Sequence, residues 1–150
     1  MASTYEIVKG FKNKYPATIC WRLKKHCDLV DNNLNPNEKV IYAFAAQNNG
    51  THDSIFDTAV LALTNERLIL AQNRIIIGYK VTTITPDLYN DLSVNAGIIW
   101  GTVNIDTIKE TIIFSNISKK ALSEIQKNIT SFMIEAKKRY KKDDKEKDSN

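Results

Sequence analysis

Between residues 118 and 140 the apolar side chains Leu122, Ile125, Ile129, Phe132, Met133, Ala136 and Tyr140 recur in steps of three and four. That spacing is one wide stripe of an amphipathic helix. Lys120, Glu124, Lys127, Thr130, Ser131 and Lys138 fill the rest of the circumference, and neither proline nor glycine interrupts it. Ser118 stands where a hydroxyl caps the first free N–H groups, and Ile117 where it staples onto Leu122. A stripe of this kind has to be buried, and the preceding sequence offers a run of short strands to bury it. The pattern predicts a mainly β, α+β domain, an antiparallel sheet or open barrel plugged by one C-terminal helix.

Two helical stretches open the chain. Residues 4–11 carry Tyr5, Ile7, Val8 and Phe11 and read as a short helix ending at or just past Gly10. Residues 17–30 carry Ile19, Cys20, Leu23, Cys27 and Val30 at helical spacing and read as a second. Residues 31–37 are dense in turn formers and contain Pro36, which marks a boundary. Beyond it the period changes to two: Val40, Tyr42, Phe44 and Ala46 share one face of a strand over 39–46, and 47–53 reads as a turn. Strands at 55–63 and 68–71 flank a tight turn at 64–67. Extended stretches follow at 74–79, 81–85, 88–94, 98–105 and 108–114, with turns at 72–73, 95–97 and 106–107. Seven strands or slightly more at this short spacing fit a sandwich or barrel. The chain thus divides into a helical extension (1–35), a main domain (36–140) and a mixed-charge tail (141–150). That tail has no apolar anchor and is expected to be disordered.

The chain of 150 residues, 43% hydrophobic and 25% charged, is long enough for one well-buried core. Its net charge of +4 is uneven: +3 over residues 1–36, −3 over 37–116 and +4 over 117–150. The positive charge sits on the helical ends, where it forms solvated faces or meets an anionic surface. No apolar leader with a small-residue cleavage site and no apolar run of spanning length is present, so a cytoplasmic protein is expected. Cys20 and Cys27, seven apart on one predicted helix, would lie about 10 Å apart, out of disulfide reach.

Two features together are familiar. One is the hairpin Leu61-Ala62-Leu63-Thr64-Asn65-Glu66-Arg67-Leu68-Ile69-Leu70; the other is its place after Asn37-Glu38-Lys39-Val40 and before several strands and a single terminal helix. From about residue 36 to 136 this resembles the bacterial PH-like domains, in particular the YokE-type group of bacterial and prophage proteins. The resemblance implies a seven-stranded PH-like barrel of two near-orthogonal sheets, with the helix plugging one open end. Lipid-binding PH domains carry basic residues around the first hairpin loop. Here Gln47-Asn48-Asn49-Gly50-Thr51-His52-Asp53 has no lysine or arginine and ends in an acid, a poor phosphate site.

Catalytic chemistry has little to stand on. His26, Cys27 and Asp28 are consecutive on a predicted helix, so their side chains fan out by about 100° per residue and do not converge. The cysteines and histidines show no metal-ligand spacing, and no glycine-rich phosphate cradle is present, so neither a metal nor a cofactor is expected. Trp100 should face outward with Thr102 and Asn104, either as a partner surface or as a platform for the N-terminal helices, and Tyr89 joins it as a candidate contact. Arg67 should fix the hairpin by pairing with a nearby acid or carbonyl, with partner contact as its second role. Lys119, Lys120, Lys127, Lys137, Lys138, Arg139, Lys141 and Lys142 are candidates for weak contact with an anionic membrane, but acids are interspersed. Nucleic-acid binding lacks the aromatic interleaving. The expectation is a non-enzymatic module for protein interaction or self-association, with peripheral membrane binding through the basic helical ends as the alternative.

Overall fold

The computed structural model describes residues 2–48, 57–74 and 78–149. Over these residues the fold is α+β. Helices α1 (Thr4–Lys14) and α2 (Leu23–Asn32) precede strands β1 (Val40–Asn48), β2 (Thr58–Thr64), β3 (Leu68–Asn73), β4 (Tyr79–Ile84), β5 (Tyr89–Ala96), β6 (Trp100–Thr107) and β7 (Thr111–Ser118). A 3₁₀ turn (Lys119–Ala121) then leads into α3 (Leu122–Asp148). The strands form one antiparallel sheet in the order β4-β3-β2-β1-β7-β6-β5, curled into a half-barrel. β1 and β7 pair only through Gln47 with Ser115 and Asn48 with Phe114, so a four-stranded and a three-stranded part meet along a short seam.

The sheet buries both faces at its centre. On the inner face Phe44, Leu61, Leu68, Val103, Ile105 and Phe114 close around Leu122, Ile125, Ile129 and Met133 of α3, the stripe that the sequence shows. On the outer face Ala43, Ala45, Val60, Ala62, Ile69 and Ala71 pack under Val8, Cys20, Cys27 and Val30. Small side chains there let α1 and α2 approach closely. Val40 belongs with this outer set because the β1–β2 register shifts between Val40 and Tyr42; the other three residues expected on its face do point inward. Phe11 of α1 reaches the inner core, its ring 5.7 Å from that of Phe44.

Element ends differ from the pattern where tertiary bonds take the backbone groups. α2 starts at Leu23, not near residue 17, because the preceding segment is committed elsewhere. The Ile19 N–H donates to the Asn116 carbonyl (2.9 Å) and the Trp21 N–H to the Thr58 hydroxyl (3.1 Å), and Arg22 takes a left-handed conformation. Cys20 therefore lies outside α2, and both cysteines are buried free thiols. Ser118 does not cap the last helix: it ends β7, and its N–H donates to the Thr18 hydroxyl (2.9 Å). α1 runs on to Lys14, started by a capping box of Ser3 and Glu6.

α3 continues through the expected disordered tail to Asp148, where lysine and glutamate sustain a helix without burying it. Gln72 and Asn73 belong to β3, and Asn95 and Ala96 to β5, so the β5–β6 turn moves to Gly97–Ile99. Residues 49–53 of the first expected turn, 55–56 of the next expected strand and 75–77 lie outside the described residues.

Candidate functional site

Each residue of the Thr64–Arg67 turn has a defined role. The Thr64 hydroxyl accepts from the N–H groups of Glu66 and Arg67, both at 3.0 Å, and closes the hairpin. Asn65 Oδ1 accepts from the Lys39 N–H (2.8 Å), and the Glu66 carboxylate accepts from Asn35 Nδ2 (3.0 Å). The Arg67 guanidinium grips the buried Glu38 carboxylate through Nε and Nη2 (2.9 and 3.0 Å) and also donates to the Thr83 hydroxyl and the Asn33 carbonyl. Burial alone would raise the Glu38 pKa; hydrogen bonds from Arg67, the Asn35 N–H and Thr64 outweigh it and hold the carboxyl below its usual range. Arg67 thus clasps the β2–β3 hairpin to β4 and to the segment entering β1, with four of its five donor positions in use.

Tyr89 is not a surface residue. It is 4% exposed and belongs to the inner core, because the register shift between Tyr89 and Asp91 brings it onto the side of Leu92. Burial raises its phenol pKa, and the nearby Thr130 hydroxyl offsets part of the rise. Trp100 does face outward, 40% exposed, while its indole N–H donates to the Ala17 carbonyl (2.7 Å). Trp100 is thus a platform for the segment after α1 and keeps an open face.

That face continues into the β5–β6 hairpin tip. The Gly97 N–H donates to the Trp100 carbonyl (2.8 Å), leaving Ile98 and Ile99 at the apex. Ile98 is 94% exposed and Ile99 53%. Both apex residues keep negative φ, a turn that accepts most side chains and asks for neither Asn nor Gly; at this exposure two β-branched apolar residues serve no core. Scattered exposed apolar residues are ordinary, but three in succession are not.

Around the tip lies a cleft of about 350 Å³ formed by Tyr15, Pro16, Ala17, Ile98, Ile99 and Ser118, with Lys14, Lys119 and Lys120 on its lining and no carboxylate. Lys12 fixes this wall by donating to the Pro16 carbonyl (2.9 Å) and to that of Thr18. The Lys119 N–H donates to the Ile99 carbonyl (2.9 Å), tying the tip to the 3₁₀ turn. Gly101 lets the start of α3 close down on β6: a Cβ there would collide with Leu122 Cδ1. Lys14 is held by Glu124 (2.6 Å), whose carboxylate also accepts from the Tyr42 hydroxyl (3.0 Å). The side chains of Lys119 and Lys120 have no partner among the described residues.

The other basic candidates stay apart from this end. Lys127, Lys138, Lys141 and Lys142 are exposed along α3; Lys138 meets Glu135 (3.5 Å), Lys137 lies over the Tyr89 ring (5.8 Å) and Arg139 over that of Phe132 (6.0 Å). His26 and Cys27 are structural. His26 Nδ1 accepts from the Asn73 N–H (2.9 Å), and burial, then the Arg22 charge, push its pKa down to about 4. Burial, then Asp31 and Asp28, push the Cys27 thiol up to about 12, which leaves it un-ionised. Among the described residues no three or more His, Cys, Asp and Glu side chains gather as a metal ion would need.

Residues 34–131 match the family model described as Bacterial PH domain. The chain belongs to the bacterial PH domain family. Compared with curated proteins, it finds no match. Bacterial PH domains are generally non-catalytic binding modules, and no enzymatic family is indicated. In this PH domain the matched segment contains the Glu38–Arg67 clasp and the Ile98–Ile99 tip. Lys14 and the Tyr15–Ala17 wall come from outside it. The convergence at the tip was hidden from sequence reasoning because it depends on the segment after α1 crossing Trp100.

Proposed function

We propose that this PH domain is a cytoplasmic, non-enzymatic docking module, of YokE type by its hairpin, and that it docks through the end of the sheet bearing Trp100. The observation that carries the reading is the apex Ile98-Ile99 followed by Trp100, three consecutive exposed apolar residues beside a lysine-lined cleft. Packing does not account for them and the turn accepts polar residues as readily; an exposed apolar run is a departure from local rules of the kind that concentrates at functional sites. The Arg67 clasp supports the reading by contrast, since its donors are spent on holding the fold.

Replacing Ile98 and Ile99 by a pair without apolar surface (I98N/I99G) tests it. A contact surface retained for a partner predicts a thermal midpoint within about 3 °C of wild type. A fall larger than that makes the tip part of the fold's own packing and ends the reading. A protein partner and a second copy of this chain are the occupants expected from the sequence. Self-association is read in the same samples, as a concentration-dependent sedimentation coefficient that I98N/I99G abolishes.

A further inference from the structure

Resting on that docking reading, we infer that the surface occupied by the tip is an anionic lipid membrane, with Ile98, Ile99 and Trp100 entering the interface and Lys119 and Lys120 at headgroup level. The composition selects this occupant. Protein interfaces are depleted in lysine, whereas apolar residues flanked by lysines suit a membrane surface, where long lysine side chains keep their ammonium groups in water. The cleft beside the tip holds lysines and no carboxylate, which is complementary to acidic headgroups.

Dehydrating the tip is made easier by bonds already formed. The Trp100 indole N–H is held by the Ala17 carbonyl, the Gly97 N–H by the Trp100 carbonyl, and the Ile99 carbonyl by the Lys119 N–H. These polar groups therefore enter a poorly hydrated zone with partners in place. Lys14 is paired with Glu124 and the Lys12 ammonium is held by the Pro16 and Thr18 carbonyls, so the ammonium groups without a partner on the cleft lining are those of Lys119 and Lys120. Lys141 and Lys142 lie about 30 Å further along α3 at 1.5 Å per residue, and serve as a control for charge away from the tip.

Co-sedimentation with phosphatidylcholine vesicles, with and without phosphatidylserine, at low and physiological ionic strength, tests the inference. The wild type is expected to pellet with the anionic vesicles only, and less so as salt rises. I98N/I99G should weaken binding about tenfold or more, and K119Q/K120Q by about fivefold per lysine. K141Q/K142Q should leave it within about twofold. Wild-type protein that stays in the supernatant overturns the lipid inference; the docking reading is then judged separately by the thermal midpoint, with a protein partner as occupant. Binding that is unchanged in I98N/I99G, or lost equally in K141Q/K142Q, overturns the assignment of the tip.

Discussion

The Glu38 carboxylate, 5% exposed, receives the Arg67 guanidinium at 2.9 and 3.0 Å together with the Asn35 N–H and the Thr64 hydroxyl, both at 2.7 Å. The pair joins the chain entering β1 to the turn between β2 and β3. Such a pair gives little net stability relative to an apolar replacement, because both charges leave water, but removing one partner strands the other. Arg67→Met is therefore expected to cost about 3–5 kcal/mol and to lower the melting temperature by roughly 10 °C. E38M/R67M together should recover most of that loss, a coupling that urea unfolding of the two single variants and the double variant would measure. An R67M variant within about 1 kcal/mol of wild type would mean that the clasp is dispensable and would free Arg67 for the contact role.

At the scale of an element, α2 is fastened to the end of β3 by His26 and Arg22, the latter donating to the carbonyl and side-chain oxygens of Asn73 (3.3 and 3.1 Å). The folded His26 pKa of about 4 lies below its ordinary value of 6.5. As pH falls through that window the unfolded chain takes up a proton that the folded chain refuses, so stability drops with falling pH. With respect to this group stability is flat above about pH 7, and the loss approaches about 3 kcal/mol near pH 4. The Glu38 and Glu124 carboxyls, held below their usual range, add a loss of the same sign at lower pH. His26→Asn, which offers an acceptor without titrating, should be less stable at neutral pH but flatter between about pH 7 and pH 4.5; equal slopes would assign the acid sensitivity elsewhere. Nothing in the sequence around His26 announced this anchor, since its partner is a backbone N–H 47 residues away. The elements that could be read were those whose own pattern settles them: the α3 stripe, the Thr64–Arg67 hairpin and the outward side of Trp100. Those misread were settled by distant bonds. Residues 17–22 follow the spacing of a helix but give backbone N–H groups to Asn116 and Thr58, and Ser118 looks like a cap but finishes a strand. Tyr89, a candidate contact by sequence, is brought to the inner face by a register shift between Tyr89 and Asp91 that no local pattern announces.

For the molecule as a whole, the decisive feature is that the sheet has two cores, and only the inner one belongs, but for Phe11 and Met133, to the segment matched by the family. The outer core pairs Ala43, Ala45, Val60, Ala62, Ile69 and Ala71 with Val8, Cys20, Cys27 and Val30, all of them nearly or fully buried. A removable regulatory cover would leave behind a face that tolerates water, with polar residues between the apolar ones. This face has none at its centre, and β2 is buried at every position from Thr58 to Thr64. Stripping the N-terminal layer would expose a contiguous apolar patch of the kind that drives association, remove Phe11 from against Phe44 and take the Ala17 carbonyl from Trp100. A chain beginning at Leu34 is therefore expected to aggregate or to bind a hydrophobic dye with weak near-ultraviolet dichroism. The full chain should unfold in one transition seen alike by fluorescence and far-ultraviolet dichroism. If the shortened chain instead unfolds sharply and binds no dye, the helices are a cover over a self-sufficient domain. In that chain the tip would keep Ile98, Ile99, Lys119 and Lys120 but lose the Tyr15–Ala17 wall that holds the Trp100 indole.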